Sequence, residues 1–303
     1  MDTAPEAPVP TGTGHPRRPL PPSVNLVCLA LTFFSTLVAG ALMTGGNTLS
    51  GEDLLRVLGD PGSWVAGLPY AFSVLAILGA HEMGHYLACR YYRIEATLPF
   101  FLPGPNLFGT FGALIRIRAP FTDRRALFDI GVAGPLAGFV VAMPILFYGL
   151  AQSTATREAL QPGTIVLTPC LLLEAIYPRF FDLGPEVSVQ LHPTFAAAWL
   201  GLFATSLNLL PIGQLDGGHM LYAVSPRAHA IVSRAGVLVL CALGLLFGGY
   251  HLVLFGVLFA FLGTRHPRPL DDLTPLSRGR HILAVVGLVI FVLCFIPTTP
   301  QVF

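Results

Sequence analysis

Long apolar runs separated by short polar segments dominate the hydrophobic pattern of this 303-residue chain. A helix needs about 20 mostly apolar residues to cross a bilayer, and several runs reach or approach that length. The candidate membrane spans are residues 24–44, 66–89, 126–150, 193–213, 231–248, 250–264 and 281–297. The pair that covers 231–264 is interrupted only near 248–250 and predicts a helical hairpin. The pattern predicts an all-α polytopic membrane protein with about six to seven transmembrane helices.

Two segments between the predicted spans have a different pattern. Residues 97–118 combine Pro, Gly and Asn with β-prone residues, and residues 113–118 alternate apolar and polar positions, which predicts a strand. We therefore expect a small β-hairpin-like element between the second and third spans. Residues 163–181 are apolar but interrupted by two prolines and Glu174, which fits an interfacial or re-entrant piece better than a span.

The pattern also divides the chain. Residues 1–22 contain seven prolines and few apolar residues, and they predict a disordered cytoplasmic tail. The first span and an external loop occupy 23–65, a membrane core occupies 66–225, and further transmembrane helices occupy 226–303.

Composition supports the membrane assignment. Hydrophobic residues make up 53% of the chain and charged residues only 11%, whereas soluble domains carry about 25% charge. The net charge is +1 and the 17 basic residues are all arginine, without an extended basic tract, so no nucleic-acid partner is expected. The five cysteines are scattered and never spaced as CxxC, which excludes a disulfide framework and a thiolate zinc site.

The arginines also predict an orientation. If the spans alternate from a cytoplasmic N-terminus, 14 of the 17 arginines lie on the cytoplasmic side, and only Arg56, Arg157 and Arg179 lie outside. The expected location is a multi-pass position in a cell membrane, specifically a bacterial plasma membrane. The lipid bilayer is the expected surrounding, and the sequence indicates no oligomeric state.

A His81-Glu82-Met83-Gly84-His85 pentapeptide lies near the cytoplasmic end of the second span. Histidines at positions i and i+4 share one face of a helix, so both imidazoles can bind one metal ion. Glu82 is offset by about 100° and can reach a metal-bound water. Ionisable groups are expensive inside a membrane and indicate a functional site there.

A catalytic zinc usually has three protein ligands and one open position. The candidate for the third ligand is Asp216, because the topology brings it to the same membrane face as His81. It follows Pro211 and Gly213, which should break the fourth span, and irregular backbone at membrane depth must face protein or a wet cavity. A helix-terminating aspartate at the membrane surface is the alternative.

HExxH in one span and the pattern N-x-x-P-x-x-x-L-D-G from Asn208 in a later one resemble the site-2 protease family of intramembrane zinc metalloproteases. Residues 109–138 are similar to the branch of that family without a PDZ domain. The resemblance covers residues 66–225. Many members carry Gly-Pro-x-x-Asn in the third core span, where this chain has Gly138 in place of the asparagine.

The resemblance implies one Zn²⁺ per chain, with His81, His85 and Asp216 as ligands and Glu82 as the catalytic base. It implies that Asn208 helps to bind the substrate strand or the oxyanion. The implied activity is hydrolysis of peptide bonds in or near the transmembrane segment of a single-span membrane protein. The alternatives are a catalytically silent homologue that acts as a membrane scaffold and an ion transporter with the broken fourth helix as its ion site.

Four neighbouring features have simpler interpretations. Cys89 is expected to be a packing residue, and Asp129 to stabilise the N-terminus of the third span. Gly134 and Gly138 predict close helix packing. His219 either forms a turn hydrogen bond or contacts the site.

Overall fold

The computed structural model describes residues 21–44, 51–156, 165–181, 188–246, 249–295 and 301–302. Their helices are α1 (Pro22–Thr44), α2 (Gly51–Gly59), α3 (Pro61–Tyr91), α4 (Arg124–Gln152), α5 (Leu171–Ile176), α6 (Pro193–Asn208), α7 (Asp216–Val224), α8 (Pro226–Leu246), α9 (Tyr250–Leu262) and α10 (Arg278–Cys294), with a 3-10 turn at Tyr177–Arg179. The strands are β1 (Phe100–Pro103), β2 (Thr110–Leu114), β3 (Thr154–Thr156), β4 (Ile165–Val166), β5 (Ser188–Gln190) and β6 (Gln301–Val302). The predicted tail lies outside the described residues except for its last two positions.

Each predicted span coincides with a helix. Four helices are long and apolar enough to cross a membrane: Ser23–Thr44, Pro61–Tyr91, Arg124–Gln152 and Pro226–Leu246. The helices at the other three predicted spans are shorter: α6 has 16 residues, α9 has 13 and α10 has 17. α8 packs against α9, which confirms the predicted hairpin, although its residues 247–248 lie outside the described part. The chain is a multi-pass membrane protein.

The predicted hairpin between the second and third spans is confirmed as the antiparallel pair β1–β2. The predicted strand over 113–118 is confirmed in part: the ladder begins earlier, at Thr110, is interrupted after Leu114, and resumes where Ile117 pairs with Ala96. In the pairing register Pro99 would face Ile115, and proline has no N–H with which to extend the ladder. At the turn between β1 and β2, Ser35 of α1 donates a 2.6 Å hydrogen bond to the Gly109 carbonyl.

The β3–β5 and β4–β6 pairs were not predicted. They are two or three residues long, too short to produce a recognisable alternation of apolar and polar positions. β3, β4 and β5, with α5 and the 3-10 turn, occupy the described parts of the segment between α4 and α6, whereas β6 follows α10.

Helix α3 packs between α1 and α4, and α4 in turn packs against α6 and α7. Large side chains such as Tyr70, Phe128 and Trp199 are buried where these helices meet. At Gly84 the approach of α4 is so close that an added Cβ would lie 2.8 Å from the carbonyl carbon of Ala133. The absence of a side chain at Gly84 therefore allows the two helices to touch beside the HExxH motif.

The fourth predicted span breaks as expected. α6 ends at Asn208, and a new helix, α7, begins at Asp216. Gly213 turns the intervening backbone with a φ of 55°. Its N–H donates to Ser233 Oγ at 2.8 Å, and its carbonyl oxygen lies 2.9 Å from His229 Nε2. Helix α8 thus satisfies both backbone polar groups of Gly213 at the break, as a membrane interior requires.

Candidate active site

Three side chains from two separate helices, two of them buried and one half-buried, meet at one point. His81 Nε2 lies 3.1 Å from His85 Nε2, and Asp216 Oδ2 lies 3.2 Å from His81 Nε2 and 3.3 Å from His85 Nε2. Consecutive turns of α3 supply the histidines, and the first residue of α7 supplies the carboxylate. The structure therefore brings together the three residues that the sequence predicts as ligands, as a group that could hold a metal ion.

The separations of these donor atoms fit a tetrahedral site. With zinc–ligand bonds of about 2.0–2.1 Å, the donor atoms of a tetrahedron lie about 3.3–3.4 Å apart. The observed separations of 3.1, 3.2 and 3.3 Å are close to that length. Two imidazoles and one carboxylate also form a common donor set of catalytic zinc, which keeps a fourth position open.

The backbone of α4 orients the second histidine. His85 Nδ1 donates to the Ile130 carbonyl oxygen at 2.7 Å, so in the neutral ring the Nε2 atom carries the lone pair. Gly134 lies against the other edge of the ring, where an added Cβ would overlap it. Gly138 lies against His81, with an added Cβ 3.2 Å from His81 Cβ. The predicted close packing at these glycines is confirmed. The space left by their missing side chains is occupied by the two imidazoles.

Glu82 is buried beside the histidines, with 6% of its surface exposed. Its carboxylate accepts a hydrogen bond from the backbone N–H of Ile115, the residue that follows β2. The hairpin and the HExxH helix are therefore connected directly at the predicted base. This contact could not be predicted from the sequence, because every residue except proline has a backbone N–H that can donate.

Asn208, the last residue of α6, reaches the same point. Its Nδ2 atom lies 3.2 Å from His81 Nε2. The amide of Asn208 at the end of α6 and the carboxylate of Asp216 at the start of α7 thus both reach the imidazole of His81. The catalytic, ligand and substrate roles of these five residues remain predictions.

Two other candidates lie apart from the three donors. Cys89 is fully buried among Ile94, Ala126 and Ile130, as its predicted packing role requires. His219 is not part of the three-residue group, and its Nδ1 lies 2.6 Å from His266 Nε2.

The prediction for Asp129 was wrong. The N-terminal residue that caps α4 is Asp123, whose Oδ1 accepts hydrogen bonds of 2.8 Å from the N–H groups of Arg125 and Ala126. Asp129 lies one turn further along, where Arg280 of α10 binds it in a bidentate pair of 2.8 and 2.6 Å.

Tyr92, directly after α3, completes this cluster. Its hydroxyl bonds to the carboxylate of Asp129 and accepts a 3.1 Å hydrogen bond from Arg280. Burial raises the pKa of Tyr92 to about 12, with a smaller contribution from Asp129. We call Tyr92, Asp129 and Arg280 the clamp, because it joins α3, α4 and α10 beside Ile130.

Residues 263–277, here called the strap, cross the start of α4. Leu270 and Asp271 donate backbone hydrogen bonds of 2.9 Å to the carbonyls of Phe121 and Thr122. Burial lowers the pKa of His266, which stacks on Tyr222, to about 4. The contact of His266 with His219 of α7 was not predicted from the sequence.

Comparison with known proteins agrees with this architecture. Residues 69–247 match Peptidase family M50. "Probable zinc metalloprotease EGY1, chloroplastic" of Arabidopsis thaliana is 33% identical over 239 residues, which cover 77% of this chain and 43% of that protein. The protein of the same name from Oryza sativa subsp. japonica is 31% identical over 239 residues, covering 77% of this chain and 41% of that protein.

"Probable zinc metalloprotease EGY2, chloroplastic" of Arabidopsis thaliana is 29% identical over 279 residues, covering 88% of this chain and 48% of that protein. The chain spans less than half the length of these relatives. The family match covers more than half of the chain and includes both helices that supply the three donors. The chain therefore belongs to peptidase family M50, the site-2 protease family.

Proposed function

We propose that this chain is an intramembrane zinc metalloprotease that cuts peptide bonds in or near the transmembrane segments of membrane proteins. The observation that carries the proposal is the triangle of His81 Nε2, His85 Nε2 and Asp216 Oδ2, with sides of 3.1 to 3.3 Å, next to a buried carboxylate. The names of the relatives, which are zinc metalloproteases, support zinc as the metal.

In this proposal His81, His85 and Asp216 hold one zinc ion. These ligands would hold a zinc ion that would lower the pKa of a bound water toward about 7 and polarise a carbonyl oxygen. Glu82 takes the proton of the attacking water and passes it to the leaving amine nitrogen. The amide of Asn208, released from the His81 lone pair, donates to the carbonyl oxygen as negative charge develops there.

The substrate must be extended to be cut, because the carbonyls of a helix are engaged in hydrogen bonds. We propose that β2 receives the substrate as an added strand. β1 packs along α1, which leaves the outer edge of β2 for a further strand. Ile115, which follows β2, donates to Glu82, so a strand paired there would pass close to the base.

The proposed topology has six to seven spans, with residues 66–225 as the catalytic core and 226–303 as accessory helices. The N-terminus and the mouth of the site lie on the arginine-rich face, which the positive-inside rule makes cytoplasmic. The relatives are named as chloroplastic and give no support to the expected bacterial plasma membrane.

The test uses the purified full chain reconstituted in phosphatidylcholine vesicles with a single-span peptide. We expect about one zinc per chain by elemental analysis and cleavage that a chelator abolishes. Glu82→Gln should keep the metal and the thermal stability but lose cleavage, because an amide cannot accept the proton. Glu52→Gln on α2 is the control and should cleave normally. A zinc-loaded chain that cuts no single-span peptide, or a Glu82→Gln variant with normal turnover, would contradict the proposal.

A further inference from the structure

A cavity of about 550 Å³ opens where α3 ends, beyond the HExxH motif. Three arginines line it, and they come from two segments: Arg90 and Arg93 from the end of α3, and Arg118 from the segment after β2. Glu95 is the one acidic residue in its lining, so positive charge is in excess there. The cavity has no part in the proposed chemistry.

In the part of the chain that the structure describes, the guanidinium groups of this cavity have no acidic partner. Among the described residues, Arg90, Arg93 and Arg118 have no carboxylate oxygen within 4.0 Å, not even that of Glu95. Two other arginines on this side of the molecule are paired, Arg124 with Asp272 and Arg280 with Asp129. An excess of unpaired guanidinium groups in one cavity is the arrangement that binds phosphate.

The backbone at Arg93 adds an independent observation. Arg93 has a φ of 56°, and among the described residues it is the non-glycine residue with a positive φ. It ends α3 in a Schellman motif, in which Arg93 N–H donates to Arg90 O at 3.2 Å and Ile94 N–H donates to Cys89 O at 2.8 Å. Glycine is the residue that this position favours. An arginine at this position places a positive charge in the cavity, although its backbone conformation is less favourable than that of a glycine.

The position of the cavity identifies the source of the phosphate. α3 has 31 residues and is about 46 Å long, which exceeds the hydrocarbon thickness of about 30 Å, so its last turn lies at the level of the lipid headgroups. Leu87, Tyr91 and Leu98, which lie within two residues of lining positions along the chain, are 60%, 80% and 48% exposed, as surfaces in contact with lipid are. We propose that this cavity binds the phosphate group of an anionic phospholipid.

The experiment measures retention of phosphatidylglycerol by the detergent-purified full chain, using native mass spectrometry and lipid titration. Each arginine near an anionic lipid contributes about fivefold in affinity, so the triple variant Arg90→Gln, Arg93→Gly, Arg118→Gln should lose about a hundredfold. Arg227→Gln, which removes an exposed arginine outside the cavity, should bind phosphatidylglycerol like the wild type.

Arg93→Gly alone separates charge from folding. Glycine relieves the positive φ, so this variant should be at least as stable as the wild type and still lose about fivefold in lipid affinity. Three results would overturn the proposal: unchanged phosphatidylglycerol binding in the triple variant, equal retention of phosphatidylcholine by the wild type, or binding of inorganic phosphate or a polyglutamate peptide as tight as that of the lipid. None of these results depends on protease activity.

Discussion

His85 Nδ1 donates to the carbonyl oxygen of Ile130 at 2.7 Å, so the backbone of α4 sets the direction in which the imidazole of α3 presents its Nε2 atom. Such outer partners fix the tautomer and the ring orientation of a metal-binding histidine. The precision of the proposed zinc site therefore depends on how closely α3 and α4 pack.

The first prediction tests this packing at Gly134. Gly134→Ala places a Cβ in the space of the His85 ring, which cannot move without losing its bond to Ile130. We expect zinc affinity to fall about 10- to 100-fold, the range seen when outer partners of a ligand are lost, with a parallel loss of cleavage. Gly59→Ala is the control, because its Cβ would meet nothing within 4 Å. Zinc titration that finds equal affinities in the two variants would contradict the prediction.

The second prediction concerns the third ligand. Asp216→Asn keeps the size of the side chain and removes its charge, so the two imidazoles would be left with a weaker, neutral donor. Zinc retention should fall by at least tenfold and cleavage should be severely reduced, measured by elemental analysis after dialysis and by peptide turnover. Glu174→Gln on α5 controls for loss of a carboxylate elsewhere. Full zinc occupancy and normal turnover in Asp216→Asn would make Asp216 a turn residue only.

The third prediction tests the clamp. Arg280→Gln removes the bidentate partner of Asp129, and we expect a loss of about 1–3 kcal/mol in the free energy of unfolding, since the aspartate is left partly buried. Arg278→Gln, two residues earlier and exposed, should change stability little. Thermal melting of both variants in the same detergent gives the comparison, and equal melting temperatures would count against the clamp.

The fourth prediction is a pH dependence of the strap. Because burial lowers the pKa of His266 from 6.5 to about 4, the unfolded strap takes up a proton before the docked one as the pH falls. Docking is therefore fully stable above about pH 6.5 and weakens as the pH falls from 6.5 toward 4. Hydrogen exchange at the Leu270 and Asp271 amides should accelerate in that window relative to amides of the β1–β2 pair.

His266→Phe provides the matched variant for this measurement. Phenylalanine keeps the stacking on Tyr222 but cannot be protonated, so part of the pH dependence should disappear. His281→Phe, on the exposed start of α10, should retain all of it. Identical exchange profiles in the His266 variant and the wild type would show that His266 does not control docking.

The fifth prediction concerns orientation. In sealed vesicles of one orientation, a membrane-impermeant maleimide should label cysteines introduced at Arg116 and Ser277 from the same side. A cysteine introduced at Ala155 should react from the opposite side, because α4 separates it from the hairpin. Labelling of all three positions from one side would refute the proposed topology.

Much of the site could be predicted because its rules are local. The i, i+4 spacing alone puts His81 and His85 on one face, and Asp216 followed from alternating spans and a break marked by Pro211 and Gly213. One further signal was available: Gly134 and Gly138 repeat the same spacing, so two small residues on α4 face two imidazoles on α3.

Other features left no trace in the sequence. The carbonyl of Ile130 and the N–H of Ile115 are backbone groups, which any residue supplies. The pair of Asp129 and Arg280 joins positions 151 residues apart, and only the packing of α10 against α4 brings them together. Asp129 lies close enough to the start of α4 for a helix-terminus role to be the simpler interpretation until Arg280 is located.

The clamp also affects where the chain can be truncated without disturbing the proposed zinc site. The family match ends at residue 247, yet Arg280 reaches back from beyond that limit to Asp129, next to the carbonyl that orients His85. A fragment trimmed to the matched region would lose α10 and leave the Asp129 carboxylate without its guanidinium. The family match therefore ends before the last helix that supports the site, and expression designs should include α10.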